Sequence, residues 1–511
     1  MKLTLSKYKE KVLGCWMGKN IGGTLGGPFE GKQEAFEIDF YTHDLNGEPL
    51  PNDDLDVQMV WLYALERYGK QVNANILGEF WHNYIIADWV EYGAGKNNMR
   101  MGIKPPLSGY VNNKFRDSNG AWIRSEIWAC VAPGHPEVAV RYAYEDAIVD
   151  HSHEGLYAEI FCAALQSAAF AEANVENLIN IGLSYIPKDC GVAKGVNVAI
   201  ESYKAGDTWL EARKKVLTAV PGSFLNIDRV DDSFVKDVPV GPIGWDAPGN
   251  IGIVAIGLLF GEGDFGKSVC IATGCGEDTD CTAGTVGSIL GIITGIDGIP
   301  KKWTEPIGRG IKYICINYTD WQFFPPKNID ELTERILKLT PLILGPDTCD
   351  YINSDKGYSI SMREGEELFC PSVSAKQRGA WYWLDFNDLL SQSPYCIKDD
   401  FVIFNTVFDY GGDMFISEGM ERVFKLRIEN NIRRQQWLSI KWHLPPGFSV
   451  TPRAYISASL EAYQCGNLGW IEKTFTLTCS ELDLPRYDLL IEITSQGRHT
   501  KGIIPITLIV G

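Results

Sequence analysis

The chain has 511 residues, with 65 acidic against 47 basic side chains and a formal net charge of −18. Its 45% hydrophobic and 22% charged residues are those of a globular protein and exclude a disordered chain. The acidic excess argues against nucleic acid or an anionic membrane as a partner, because such binders carry a basic footprint.

The N-terminal stretch from Met1 to Glu10 lacks the apolar core of a signal peptide. No segment offers the roughly 18 consecutive apolar residues of a spanning helix. Thirteen cysteines without a C-x-x-C pair make no disulfide framework, so a reduced, cytoplasmic protein is expected. The length corresponds to about two to four domains.

Helical signals dominate from Tyr8 to about Pro341. Val57, Val60, Trp61, Ala64 and Leu65 recur at three and four residues, and the apolar run from Leu156 to Ala171 is long enough for a buried helix. Leu332, Ile336, Leu337 and Leu339 predict a last helix, closed by Pro341. Gly261 to Ser268 fits the glycine spacing of a phosphate loop, but two carboxylates would face the phosphates and the run before it reads as helix rather than strand. A helix–loop–helix turn is predicted there, with Ser268 near a new N-terminus.

After Gly345 come short alternating runs, Phe401–Phe404, Val423–Ile428, Leu489–Ile493 and finally Gly502–Val510. They predict an antiparallel β-sandwich of immunoglobulin-like type. The expected organisation is therefore multidomain: an all-α domain over 1–344, a connector over 345–399 that belongs in part to the β region, and a β-sandwich accessory domain over 400–511. Trp381, Trp383, Trp437, Trp442 and Trp470 would be either mostly sandwich core or a binding face.

Two acidic clusters stand at predicted helix starts. In Asn52-Asp53-Asp54-Leu55-Asp56 one or two acids would serve as cap and dipole partner, but three in five positions repel one another unless a cation sits among them. In Gly276-Glu277-Asp278-Thr279-Asp280-Cys281-Thr282-Ala283-Gly284 the carboxylates two apart, with hydroxyls beside them, are hard oxygen donors of the kind Mg²⁺, Mn²⁺ or Ca²⁺ prefers.

Four segments in order resemble the ADP-ribosylglycohydrolase family over roughly Tyr8 to Pro341. Gly22-Gly23-Thr24-Leu25-Gly26-Gly27-Pro28-Phe29-Glu30 resembles its G-D-A-L-G-x-P-x-E, and Asn52-Asp53-Asp54 its T-D-D. Ser118-Asn119-Gly120-Ala121 with Arg124 resembles its glycine-rich loop, and Gly276 to Ala283 its G-G-D-T-D-T. Met99–Tyr110 and Trp128–Pro136 resemble a bacterial branch.

The resemblance implies an all-α fold that holds two divalent cations, Mg²⁺ or Mn²⁺, and hydrolyses a glycosidic bond at the ribose anomeric carbon. Asn52, Asp53, Asp54, Asp278 and Asp280 would be metal ligands. Cys281 stands where a Thr or Ser ligand is expected, so Thr282 or Asp56 would complete the shell. Glu30, or Asp56, would take or relay the proton of the attacking water. Ser118, Asn119, Gly120 and one of His151 and His153 would contact substrate, as would Trp245 and Asp246, where the alternative for the tryptophan is core. The substrate would be an ADP-ribosylated group or another small-molecule glycoside. A riboside or glycoside hydrolase not acting on ADP-ribose, and a ligand-binding member without turnover, are the alternatives. Homo-oligomerisation stays open.

Overall fold

The computed structural model describes residues 1–220, 244–318, 320, 322–351, 357–371, 389–464 and 467–511. The chain folds as two compact units, a helical unit of Met1–Met99 with Ser108–Leu390, and a β unit of Arg100–Leu107 with Ser391–Gly511. In the helical unit, eight helices concern the site and its support: α1 (Leu5–Gly26), α2 (Asp53–Tyr68), α3 (Val90–Arg100), α4 (His153–Ala168), α5 (Ala247–Phe260), α6 (Phe265–Gly274), α7 (Thr279–Thr294) and α8 (Ile329–Leu344).

The centre of this unit is the contact between α1 and α7. Glycines recur every four residues along α1, at Gly14, Gly18, Gly22 and Gly26. A Cβ at any of these would overlap a backbone oxygen of α7, that of Gly291, Gly287, Ala283 and Thr279 in turn. Because the partners descend as α1 ascends, the helices run antiparallel, and the C-terminus of α1 lies beside the N-terminus of α7. The other faces of α1 carry Trp16, Met17, Ile21 and Leu25 into the core, all essentially buried.

Pro341 does not close the last helix. Helix α8 runs on to Leu344 with Pro341 inside it and ends at Gly345, whose φ of +85° leaves the helical region. A proline there removes the hydrogen bond to the carbonyl four residues earlier, which is Leu337. That carbonyl accepts instead from the Tyr358 hydroxyl at 2.5 Å, so the helix continues without an orphaned acceptor. The glycine-rich stretch after α5 is a turn between two helices, and Asp264 caps α6 by accepting from the Lys267 backbone N–H at 2.7 Å.

The described part of 345–390 packs into the helical unit. Cys349–Asp350 and Ser359–Ser361 form a small antiparallel sheet with Lys2–Thr4.

The β unit has two five-stranded sheets. One orders Tyr455–Leu460, Gln436–His443, Arg486–Ser495, Lys501–Val510 and Phe415–Ile416; the other Cys396–Asp400, Phe404–Asp409, Glu421–Asn430, Trp470–Cys479 and Phe448–Thr451. Burial alternates along the long strands. Trp442 of the first sheet packs against Phe424 and Phe475 of the second at ring separations of 6.1 and 5.3 Å, the core of a sandwich.

The run Phe401–Phe404 is not one strand. Asp400 accepts the Val402 backbone N–H at 2.7 Å, and Val402, at φ +68°, turns the chain between two strands. Of the tryptophans, Trp442 is buried and Trp437 is exposed, while the Arg427 guanidinium lies 4.5 Å from the Trp470 ring. Trp381 and Trp383 lie outside the described residues.

Replacing Gly18 by alanine should improve helix propensity by about 1 kcal/mol, yet the added methyl meets the backbone of Gly287, which cannot rotate away. Overpacking of about 3 kcal/mol or more wins. Thermal melts followed by circular dichroism should show a clear fall in Tm for Gly18→Ala and none for Gly310→Ala, where a Cβ meets open space.

Candidate metal centre

Three chain segments converge where α1 ends and α7 begins. After α1 a single turn, Gly27–Phe29, leads to Glu30. The next residues are tied to the segment before α7: the Gly31 N–H donates to the Glu277 carbonyl at 2.9 Å, and the Glu277 N–H to the Lys32 carbonyl at 2.8 Å. Gly276 and Glu277 both take positive φ, +68° and +67°, which turns the chain sharply into Asp278. The third segment is the start of α2, where Asn52 caps the helix by accepting from the Asp54 N–H at 2.7 Å.

Two departures from the resembled motifs meet in space here. A Cβ at Gly23 would fall 2.5 Å from the Asn52 side-chain nitrogen, so the longer side chain at 52 fills the room left by a glycine at 23.

Glu30, Asp53, Asp54, Asp278 and Asp280 line one cavity of about 330 Å³, together with Ser118, Asn119, Gly120 and Trp245. Oxygens of Glu30, Asp278 and Asp280 lie within 4.8 Å of one another, as do ligand atoms of Asp54, Asp280 and Cys281. That spacing suits donors sharing one ion at about 2.0–2.6 Å. Among the described residues none donates a hydrogen bond to Asp278 Oδ1 or Asp280 Oδ1, both buried. Donorless buried carboxylate oxygens are costly unless a cation compensates them, so the residues present fit a hard divalent ion.

Other oxygens of the cluster are held by donors. Asp278 Oδ2 accepts from Asn119 at 2.7 Å, and Asn119 in turn accepts from the Trp122 indole at 2.9 Å. Asp53 Oδ2 accepts from the Tyr92 hydroxyl at 3.0 Å.

Other expected site residues stand elsewhere. Asp56 does not reach the cavity; its carboxylate accepts the backbone N–H groups of Ile314 and Cys315 at 2.9 and 2.5 Å and so anchors the loop that carries Ile314 to the cavity wall. Thr282 turns its hydroxyl back onto the Thr279 carbonyl at 3.3 Å, as a helical threonine does, and Cys281 faces the cavity in its place.

His151 is fully buried behind Ser118. Its Nδ1 faces Asp150 at 2.8 Å and its Nε2 the Ser118 hydroxyl at 3.0 Å. His153 begins α4 at φ +47° with its ring against Tyr110. Asp246 precedes α5 and pairs through its backbone with Ser118.

Four residues at the site were not expected from the sequence. Trp89, Glu91 and Tyr92, at the start of α3, line the cavity. Lys19 of α1 is buried, with its ammonium 2.9 Å from Asp54 and 3.3 Å from Glu126. Nothing in local pattern marks the first three, but a lysine between Trp16, Met17 and Ile21 was a legible signal.

Crowding drives the carboxyls up. Burial, then Asp278, Asp53 and Asp54, push Glu30 up to about 8. Burial and Asp54 push Asp53 up to about 7. Asp278 and Asp280 rise well above the usual carboxylate range through burial and each other or Asp54.

The cation-free folded state thus holds protons that the unfolded chain releases near pH 4, so its stability falls as pH rises from there through the folded values of about 7 and 8. Melts without divalent ions should show Tm dropping across that window. Mn²⁺ should restore Tm more at about pH 8 than at about pH 5.5, where protons compete for the same oxygens.

A family model described as ADP-ribosylglycohydrolase matches residues 4–341. A comparison with curated proteins finds no match. Among solved structures, a FixG-related protein from Vibrio parahaemolyticus is similar at 11% identity, over 21% of this chain and 94% of that one, with a TM-score of 0.17.

Proposed function

The chain belongs to the ADP-ribosylglycohydrolase family, and from that premise we propose that it is a divalent-cation-dependent hydrolase cleaving a glycosidic bond at an anomeric carbon. The observation that carries this reading is the Glu30–Asp278–Asp280 group, three carboxylates at a cavity, two of whose buried oxygens have no donor among the described residues. A hard ion held there, Mg²⁺ or Mn²⁺ by donor type, would supply Lewis-acid polarisation and acidify water.

The protein's own groups do the rest. Glu30, lining the cavity beside Asp278 and Asp280, is the acid–base residue of this reading. Asn119, fixed between Asp278 and Trp122, holds the 118–120 backbone against the cavity. Trp89 and Trp245 offer aromatic faces to a sugar or base. Ser118, oriented by the buried His151–Asp150 pair, presents a hydroxyl whose direction is set from behind.

A second reading concerns the substrate. Six carboxylates, Glu91 among them, line the cavity, which favours a riboside or glycoside without a diphosphate over an ADP-ribosyl group.

Hydrolysis of an ADP-ribosylated peptide and of uncharged nitrophenyl ribosides, with Mn²⁺ or with a chelator, tests both readings. Chelation should abolish turnover, and Asp280→Asn should lower kcat/KM about a thousandfold in a chain whose circular dichroism is unchanged. Turnover that survives both the chelator and Asp280→Asn rules the cation reading out. Binding without turnover of any substrate would leave a ligand-binding protein.

A further inference from the structure

The two groups of ligand atoms share Asp280 but differ in kind. Glu30, Asp278 and Asp280 offer only carboxylate oxygens. The group of Asp54, Asp280 and Cys281 is surrounded by positive hydrogen. The Cys281 thiol donates to Asp54 Oδ1 at 3.4 Å. Asn52, its oxygen engaged by the Asp54 N–H, turns its NH₂ to Asp280 Oδ2 at 3.3 Å. The Lys19 ammonium, 1% exposed, stands 2.9 Å from Asp54 Oδ2, itself 1% exposed. A thiol is a poor donor for a hard ion, and a divalent ion here would be pressed against a buried ammonium in a medium that screens little.

The lysine is built in. It donates to the Ile123 carbonyl at 2.8 Å and faces Glu126 at 3.3 Å, which fixes its head. Its stem packs on Gly284, where a Cβ would fall 3.2 Å from Lys19 Cδ. The α1–α7 contact therefore delivers the ammonium beside Asp54.

We propose that the site takes one divalent cation, in the Glu30–Asp278–Asp280 group, and that the Lys19 ammonium supplies the second positive charge in place of a second ion. This rests on the cation-dependent reading above and puts one ion where the family resemblance implies two. Lys19 is then a positioning residue: it holds Asp54 and sets the charge of the site without touching substrate.

Equilibrium dialysis of the full chain against Mn²⁺, with metal analysis and electron paramagnetic resonance, counts the ions and detects spin-coupled pairs. One uncoupled Mn²⁺ per chain is expected. Lys19→Met should bind two, with a coupled signal. Two coupled ions in the unaltered chain overturn this proposal and leave the cation-dependent function standing; no bound Mn²⁺ overturns both.

A folded Lys19→Met chain that stays at one ion overturns the role given to the ammonium. If that variant does not fold, Cys281→Thr decides: one ion supports the lysine as the block, and two show that the thiol alone excluded the second.

Discussion

Backbone-to-backbone contact between α1 and α7 is the constraint on which the rest of the helical unit depends. Two helices approach this closely only where side chains are absent, and Gly14, Gly18, Gly22 and Gly26 provide that along successive turns. The approach gives up helix propensity at each glycine, about 1 kcal/mol relative to alanine. In return it fixes the register of two buried helices without dependence on rotamers. Register is what the site needs, because Glu30 follows one helix and Asp278 and Asp280 begin the other.

The second constraint is electrostatic. Asp53 and Asp54 sit in the first turn of α2, and Asp280 in the first turn of α7, where the helix dipole favours anions by a few tenths of a kcal/mol to about 1 kcal/mol. That is small against the desolvation and mutual repulsion of crowded carboxylates, which raise the pKa of Glu30, Asp53, Asp278 and Asp280. The protein stores charge repulsion that protons or cations relieve. A buried polar network around Lys19 and Glu126, with Gln58 donating to Glu126 at 3.0 Å and Ser288 at 3.2 Å, holds part of that charge on the floor.

The β unit has a different logic. Its sheets bury alternate residues around Trp442, and its edge and turn chemistry is local, as the Asp400–Val402 turn illustrates. Its exposed Trp437 and the Arg427–Trp470 stack are surface features of a sandwich, and the carboxylate-lined cavity belongs to the helical unit.

Much of this was legible in the chain itself. Periodicity marked α2 and the strands ending at Val510, and acids crowded at helix starts marked Asp53, Asp54, Asp278 and Asp280, because each of these signals is written in consecutive residues. Glu30 came from its resemblance to a family motif. What the sequence could not determine depends on contacts between distant segments. Pro341 reads as a stop until Tyr358 supplies a donor to Leu337. Asp56 and Thr282 share spacing with true cavity residues, yet the direction of their side chains is set by a loop at Ile314–Cys315 and by the helix's own carbonyl. Lys19 and Asp54 are 35 positions apart in the chain, and only the packing of α1 against its neighbours makes them an ion pair. Local pattern determined which residues could bear charge at the site; the tertiary fold decided which of those charges meet, because burial and distance, not composition, set the strength of their interaction.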